Sequence, residues 1–496
     1  MPVSKAVITL VIPTIISQII TVIYNMADTF FIGQMNDPNQ VAAATLAMPP
    51  FVMMTGIANL FGIGGSSLIS RSLGAGDREK ARKCAAFSLW SAAALALVYG
   101  IVLYWARPTI FPLLGTDKFT YGYCSDYFLW TITIGGVPTV LNACLAHLVR
   151  AEGYSKEASF GLALGGIVNI ILDPILIFNL NLGVKGAAIA TMLSNVIALI
   201  YFLALLKKRE DVTMINFSLK NFTLADGIPK EILLVGFPSF VMLLMGTASN
   251  LVLNKMVVSY SNQAIAGMGI AKKIDVLAFA IANGMTQGVL PLIGYNFASK
   301  NFARMRAVIK TAFLYTMIVS VAGTLLLFFS AVPLVRFFID DAETVAYGQY
   351  FLKAISVTCA AISVTMMIIT IFQATGKKLQ PMILSLVRKG GFDIPLMFIM
   401  NNAFASPCPE YHCGESSGRL RPGQRHGLSG DYVPGRDPFR PDGAVSPGAR
   451  PVQRRRKQNP NPISDAPQPA GGAGIRHPLL RPCFPRCRLA LHETLW

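Results

Sequence analysis

The chain has 496 residues, of which 53% are hydrophobic and only 14% charged, with a mean hydropathy of +0.51. A soluble domain is roughly one quarter charged, so this composition excludes an ordinary soluble enzyme and indicates an integral membrane protein. The formal charge of +18 would suggest nucleic acid in a soluble chain, but it lies between apolar stretches, where it sets topology. We expect no nucleic-acid partner.

A helix needs roughly 20 apolar residues to cross a bilayer, and such windows recur along the chain. They lie near 7–31, 41–69, 85–105, 127–149, 158–178, 186–206, 232–258, 267–293, 307–332, 346–372 and 382–401. The first window lacks a basic leader and a small-residue cleavage site, so it is expected to stay as a helix. Loop charges orient the set. Arg71, Arg78, Lys80, Arg82, Lys83, Lys207, Lys208, Arg209, Lys377 and Lys378 fall on the side of the amino terminus, whereas the opposite loops contain Arg107, Lys118, Lys185 and Arg336. Basic loops stay cytoplasmic, which places the amino terminus inside.

An internal echo sets the architecture. Aligning 57–82 with 281–306 pairs Ile57/Ile281, Ala58/Ala282, Asn59/Asn283, Gly64/Gly288, Leu68/Leu292, Ile69/Ile293 and Arg82/Arg306 at an offset of 224. Arg150-Ala-Glu-Gly153 answers to Gln373-Ala-Thr-Gly376 at 223, and Pro13 to Pro238 at 225. Such duplications build polytopic transporters with the substrate path between the halves. The expectation is an all-α protein of two six-helix lobes related by a pseudo-two-fold axis along the membrane normal. Residues 1–206 form the amino lobe, 207–231 a cytoplasmic linker and 232–402 a carboxy lobe of five spans, lacking the twelfth.

Ionisable groups inside a membrane are costly and so are functional candidates. Asp28 in the first span has no basic residue one turn away, and a carboxyl there can trade a proton for a cationic substrate. The competing reading is a structural acid near the interface. Asn169 and Asp173, at i and i+4 in the fifth span, share a helix face beside Pro174, which removes a backbone hydrogen bond. They suit either a cavity wall or a packing contact between helices. Lys272 and Lys273 with Asp275 read as a local pairing in the eighth span, Lys255 as a snorkelling side chain and Asp393 as a weak candidate. The second repeat has no acid matching Asp28.

Enzyme chemistry finds no support. There is no GxxxxGK[ST] loop, Gly62-Ile-Gly-Gly65 sits inside an apolar span where it favours close packing, and His147 is the only histidine before residue 403. The eight cysteines form no CxxC pair, so neither zinc nor a disulfide framework is expected. From about residue 403 the chain changes character: 405–496 carries half of the prolines, four of the five histidines and thirteen Arg against one Lys. Pro/Gly-rich polar sequence of this kind does not bury enough apolar surface to fold. Residues 403–496 read as a disordered tail translated out of frame, and Arg454-Arg-Arg-Lys457 as an accident of that frame rather than an anionic-lipid or nucleic-acid patch.

With Pro13, Tyr24-Asn-Met-Ala-Asp-Thr-Phe-Phe-Ile-Gly33, Asn169-Ile-Ile-Leu-Asp-Pro174 and Pro291-Leu-Ile-Gly-Tyr-Asn296, residues 4–402 resemble the MATE (multidrug and toxic compound extrusion) family, in its bacterial DinF-like branch. The resemblance implies a monomeric multi-pass exporter in the bacterial cytoplasmic membrane, without a cofactor or a metal site. It would move organic cations and other amphipathic compounds by proton or sodium antiport through alternating access. It assigns coupling to Asp28 and Asp173, and a polar cavity network to Tyr24, Asn25, Asn169 and Thr191. Some members bind sodium through carboxylates in the seventh and tenth helices. Spans 232–258 and 346–372 here contain none, which favours protonation of Asp28. A lipid-linked precursor flippase and an inactive truncated transporter are the alternatives. Translating the coding DNA around codons 400–410 in the other frames is expected to yield an apolar twelfth span; an unbroken frame without one would make the tail genuine.

Overall fold

The computed structural model describes residues 1–35, 37–258, 262–388, 391, 395 and 397–399. All of these belong to the compact unit Met1–His412. The first half of the chain folds as α1 (Val3–Gly33), α2 (Pro38–Leu46), α3 (Met48–Gly74), α4 (Arg78–Leu114), α5 (Thr120–Phe128), α6 (Gly136–Ala151), α7 (Ser155–Pro174) and α8 (Val184–Lys208). The second half follows as α9 (Ile228–Val258), α10 (Asn262–Ala298), α11 (Phe302–Phe329), α12 (Ala331–Arg336), α13 (Ala342–Ala374) and α14 (Leu379–Leu386). Among the described residues, nine helical segments are long and apolar enough to cross a membrane. The pair Thr120–Ile134 and Gly136–Ala151, bent by 48°, makes a tenth. The eleventh expected span begins as α14, and most of its remainder lies outside the described residues, as do Asp393 and 403–496.

Burial is organised for lipid. On α1, Ile8, Ile12, Ile16 and Ile23 face outward while Thr14 and Ser17 are buried. The inner polar groups satisfy themselves along their own helix: Thr14 Oγ1 donates to the Leu10 carbonyl at 2.8 Å, Thr21 Oγ1 to Ser17 at 2.9 Å and Asn25 Nδ2 to Thr21 at 2.8 Å. Without water in the bilayer, such back-bonding keeps a polar stripe inside an otherwise apolar helix affordable. Two helices leave α geometry where the sequence forces it. After Pro174, α7 continues as the π-helical turn Ile175–Asn179, and α5 passes into α6 through the π segment Leu129–Ile134. Both absorb a break in the hydrogen-bond ladder without ending the span.

The two halves meet by exchanging equivalent contacts. A Cβ on Gly64 in α3 would collide with the Ile232 carbonyl of α9, and one on Gly236 in α9 with the Leu60 carbonyl of α3. The repeat partner of Gly64 is Gly288 in α10, whose Cβ would come within 2.9 Å of Val11 Cα in α1, and Gly284 would come within 2.7 Å of Ile15 Cα. Thus α3 packs on α9 as α10 packs on α1, the arrangement a two-fold relation between repeats demands. Small residues drive such contacts because lipid supplies no hydrophobic incentive for helices to associate. Helix ends repeat as well. Gly153 and Gly376 adopt φ of +92° and +73°. At each, the glycine N–H donates three residues back (Gly153 to Arg150, 2.9 Å; Gly376 to Gln373, 3.0 Å) and the next N–H five back (Tyr154 to Val149, 3.2 Å; Lys377 to Phe372, 2.9 Å). This Schellman closure needs a left-handed residue, which glycine adopts without steric cost.

Polar contacts between the halves crowd toward the end carrying the amino terminus and the basic loops. Arg71 reaches Glu231 at 3.7 Å, Ser67 Oγ donates to the Gln373 carbonyl at 2.5 Å, and Arg304 Nη2 donates to the Met1 carbonyl at 3.1 Å. The connecting segment after α8 is held on the first half. Glu152 accepts from Thr213 Oγ1 at 2.7 Å and the Met214 N–H at 2.6 Å, and Trp90 Nε1 donates to Phe217 at 3.2 Å. Burial pushes the Glu152 carboxyl above its usual range, and those two hydrogen bonds pull against that shift.

Because the obstacle at Gly236 is backbone, Gly236→Leu is expected to exceed the ~1–3 kcal/mol usual for overpacking and to abolish the monodisperse peak in size-exclusion chromatography. Gly246→Leu on the same helix, where nothing lies within 4 Å of a new Cβ, is expected to leave it intact. Equal behaviour of the two variants would contradict the contact.

Candidate functional site

A cavity of about 270 Å³ lies among α1, α3, α6, α7 and α8, closed on one side by α10. Its wall is mainly amide, hydroxyl and small side chains. Gln18, Thr21, Tyr24 and Asn25 come from α1, Asn59 from α3, Asn142, His147 and Arg150 from α6, Asn195 from α8, and Asn283 and Gln287 from α10. Gly165 and Gly166 line it from α7, where a Cβ on Gly166 would sit 3.0 Å from the Tyr24 ring. Close α1–α7 packing therefore fixes where Tyr24 projects. Asn59 and Asn283 are repeat partners, so the two halves contribute equivalent amides to one space.

Beside the cavity, α1, α7 and α8 enclose the acids. Asp28 is 8% exposed, Asp173 0% and Asn169 1%. Asn169 Nδ2 donates to Asp173 Oδ1 at 3.3 Å and makes a long 3.5 Å contact with Thr191 Oγ1. Asp28 Oδ1, Asp173 Oδ2 and Asn169 Oδ1 are buried without a hydrogen-bond partner. Asp28 lies one turn beyond Tyr24 on α1, the Tyr24 ring packs on Gly166 of α7, and Tyr127 of α5 is buried as well.

A chain of polar contacts joins this cluster to the cavity. Asn142 Nδ2 donates to Asn195 Oδ1 at 3.0 Å; Asn195 Nδ2 and Ser194 Oγ donate to the Thr191 carbonyl at 2.8 and 2.9 Å; Thr191 then meets Asn169 and, through it, Asp173. Of the residues expected from sequence, Tyr24 and Asn25 face the cavity, whereas Asp28, Asn169, Asp173 and Thr191 gather behind it. Asn169 and Asp173 bond each other along α7, Asn169 reaches Thr191 of α8 at 3.5 Å, and neither is among the residues lining the cavity. Lys272, expected to pair locally, donates to Asn250 of α9 at 3.1 Å. Lys255 is exposed in the last turn of α9.

Sequence reasoning missed Tyr127, Asn142, Asn195 and the placement of Arg150. Tyr127 and Asn142 lie on a span broken by the π segment, where a straight-helix face does not apply. The signal for Asn142 and Asn195 was their amide character in apolar windows, which marks interior positions in a membrane helix.

Comparisons with known proteins identify relatives of the fold and of its repeat. The sequence model of the MatE family matches twice, over residues 13–175 and 238–399, which coincides with the internal repeat. The multidrug export protein MepA of Staphylococcus saprophyticus is 32% identical over 393 residues, covering 79% of this chain and 86% of that protein. MepA of Staphylococcus aureus is 32% identical over 403 residues, covering 81% and 88%. Among solved structures, a MATE protein in complex with MaL6 aligns with a TM-score of 0.76 at 25% identity, covering 81% of this chain and 90% of that one. An outward-facing multidrug resistance MATE family transporter of the MOP superfamily aligns at 0.74 and 26%, covering 81% and 89%. A polytopic helical duplication with a buried acid cluster beside a shared cavity, matched twice by one family model, belongs to the MATE family of membrane transporters.

Proposed function

We propose that this chain is a multidrug exporter that expels amphipathic compounds, organic cations among them, in exchange for protons. The observation that carries the reading is the buried Asp28 carboxyl, one oxygen unpartnered, next to an acid-and-amide network that runs to the cavity wall. An ion withdrawn from water without a partner is expensive. Asp28 therefore has two ways to be satisfied. It either holds a proton as a neutral acid or, once ionised, draws a cation into the adjoining cavity. Proton and cation then compete for the same carboxyl, which is what antiport requires. Sodium sharing the Asp28 and Asp173 oxygens is the alternative coupling ion.

Alternating access is supported by the distribution of contacts. The halves touch through glycine backbones and polar pairs at the end with the basic loops, which the positive-inside rule puts in the cytoplasm. Closure there with the cavity between the halves corresponds to an outward-facing state, and rocking about the two exchanged interfaces would close the other end. MepA is named as a multidrug export protein, and the cavity's neutral amides and hydroxyls suit a broad set of amphiphiles. A lipid-linked precursor flippase would want a strongly basic cavity; this one has a single guanidinium, Arg150. We place the protein in the bacterial cytoplasmic membrane as a monomer.

Asp28→Asn keeps the shape and hydrogen bonding of the side chain but holds no exchangeable proton. In proteoliposomes driven by a pH gradient, the variant is expected to lose at least about 10-fold in efflux of a cationic dye while inserting at the wild-type level, comparable to removing about 1.4 kcal/mol or more of coupling. Undiminished pH-driven efflux would rule out Asp28 as the coupling group, and efflux driven by sodium alone would select the sodium alternative.

A further inference from the structure

The segment between α8 and α9 has one short helical turn, Leu219–Asn221, yet it is pinned to the first half along its length. At its start, Arg209 Nη2 donates to Glu157 Oε1 of α7 at 2.7 Å, and the guanidinium lies 4.1 Å over the Tyr154 ring. Next come the two bonds of Glu152, from Thr213 Oγ1 at 2.7 Å and the Met214 N–H at 2.6 Å. Met214 and Ile215 bury their side chains in the apolar core of the first half. Farther on, Trp90 of α4 donates to the Phe217 carbonyl at 3.2 Å, and Phe222 stacks on Phe87 of the same helix with ring centroids 5.8 Å apart. Lys83 of α4 ends the series on Asp226 at 3.4 Å. Among the described hydrogen bonds, ion pairs and ring contacts of residues 209–224, every partner outside the segment belongs to the first half.

A passive tether between two moving bodies has no need of such attachment, which costs backbone entropy at each ordered residue. The repeat shows what the attachment residues are for. Glu152 stands in Arg150-Ala-Glu-Gly153, and its partner in the second half is Thr375, whose Oγ1 bonds back to the Ile371 carbonyl of its own helix at 2.9 Å. The partner of Trp90 is Leu314, which is exposed. The duplicated fold therefore carries the clamp only in the half over which the linker passes.

Freedom begins at one place. Asp226 and Gly227 have φ of +58° and +67°, two left-handed residues in succession, a conformation that residues with a side chain rarely adopt. Lys83 holds Asp226, and nothing lies within 4 Å of a Cβ built on Gly227. At the next residue α9 starts, and its Ile228 and Ile232 are buried in the same core, so α9 turns about its own start and does not lift away.

We propose that residues 209–225 are a strap that moves as part of the first half, clamped by Glu152, and that Asp226-Gly227 is the joint about which the second half turns when the open side changes. A few loop residues at the end of an element commonly absorb the backbone rotation of such a movement. The inference rests on the alternating-access reading for the motion it serves, and goes beyond it by locating the joint.

Spin labels test this in the full-length chain with its native cysteines replaced by alanine. Val212→Cys marks the strap, Lys156→Cys and Arg78→Cys the first half and Lys377→Cys the second, all at exposed residues. Pulsed dipolar distances are measured with and without rhodamine 6G, in acidic and in alkaline buffer. The Arg78–Lys377 and Val212–Lys377 distances are expected to shift together by about 5 Å or more, the scale of a one-turn displacement, while the Val212–Lys156 distance keeps a single unshifted distribution. A shifting Val212–Lys156 distance, a Val212–Lys377 distance fixed while the halves move, or halves that move in no condition would overturn the strap and its joint. Hydrogen exchange on the chain with its cysteines intact gives a second reading. Glu152→Ala is expected to speed exchange of the Met214 amide about 10-fold or more, as loss of a buried hydrogen bond implies, and Thr375→Ala to leave it unchanged; an unchanged rate in Glu152→Ala would overturn the clamp. Dye efflux by the wild type is measured separately. Halves that turn at the joint without efflux would remove the exporter reading alone, and efflux with a strap that follows the second half would remove the joint alone.

Discussion

Inside a bilayer a polar atom has no water to turn to, so each buried donor, acceptor and charge must find its partner within the protein. Most of this chain obeys that constraint locally. Hydroxyls and amides on α1 fold back onto their own carbonyls, and π segments absorb the breaks that Pro174 and the α5–α6 bend create. Three charged side chains buried in the spans stand apart. Asp28, Asp173 and Arg150 each retain buried atoms with no partner, and among the described ion pairs none joins the guanidinium to either carboxylate. The cavity wall accordingly holds one guanidinium among neutral amides and hydroxyls, with the two carboxyls outside its lining.

The same constraint shapes how the halves join. Lipid offers helices no hydrophobic reason to associate, so the interface depends on backbone approach at glycines, with α3 on α9 and α10 on α1 as equivalent pairs. Two matching interfaces of small residues are smooth enough to pivot and close enough to define register. The polar contacts at the basic end, Arg71 with Glu231 and Ser67 with Gln373, are few and long or single. Such contacts can be exchanged for others at modest cost, which a transporter changing its open side requires.

Much of this was legible in the chain. Gly64 and Gly288, which align at an offset of 224, both meet backbone across the halves, and Gly153 and Gly376 repeat because both close a helix in a left-handed turn. A fainter part of the same repeat went unread: Asp117 accepts from the Thr120 N–H at 2.8 Å and Asp341 from the Thr344 N–H at 2.8 Å, again 224 apart, both at helix starts. Asp28 was readable as unpaired because no base lies a turn away on its helix. The burial of Tyr127 and the link from Asn169 to Thr191 were not readable, since they depend on how the helices pack. Arg150 shows the limit most clearly. Its position in a repeated motif was plain, but whether an acid waited across the cavity is a fact of tertiary structure alone.

Proton bookkeeping on binding tests the central claim most directly. If a buried acid cluster alternates between a proton and a cationic ligand, adding a cationic dye to the purified protein in weakly buffered detergent near neutral pH releases protons in proportion to dye bound, by linkage. Sodium-free and sodium-containing buffer should give the same release. Saturable dye binding with no accompanying proton release, or release that sodium alone elicits, would contradict the account.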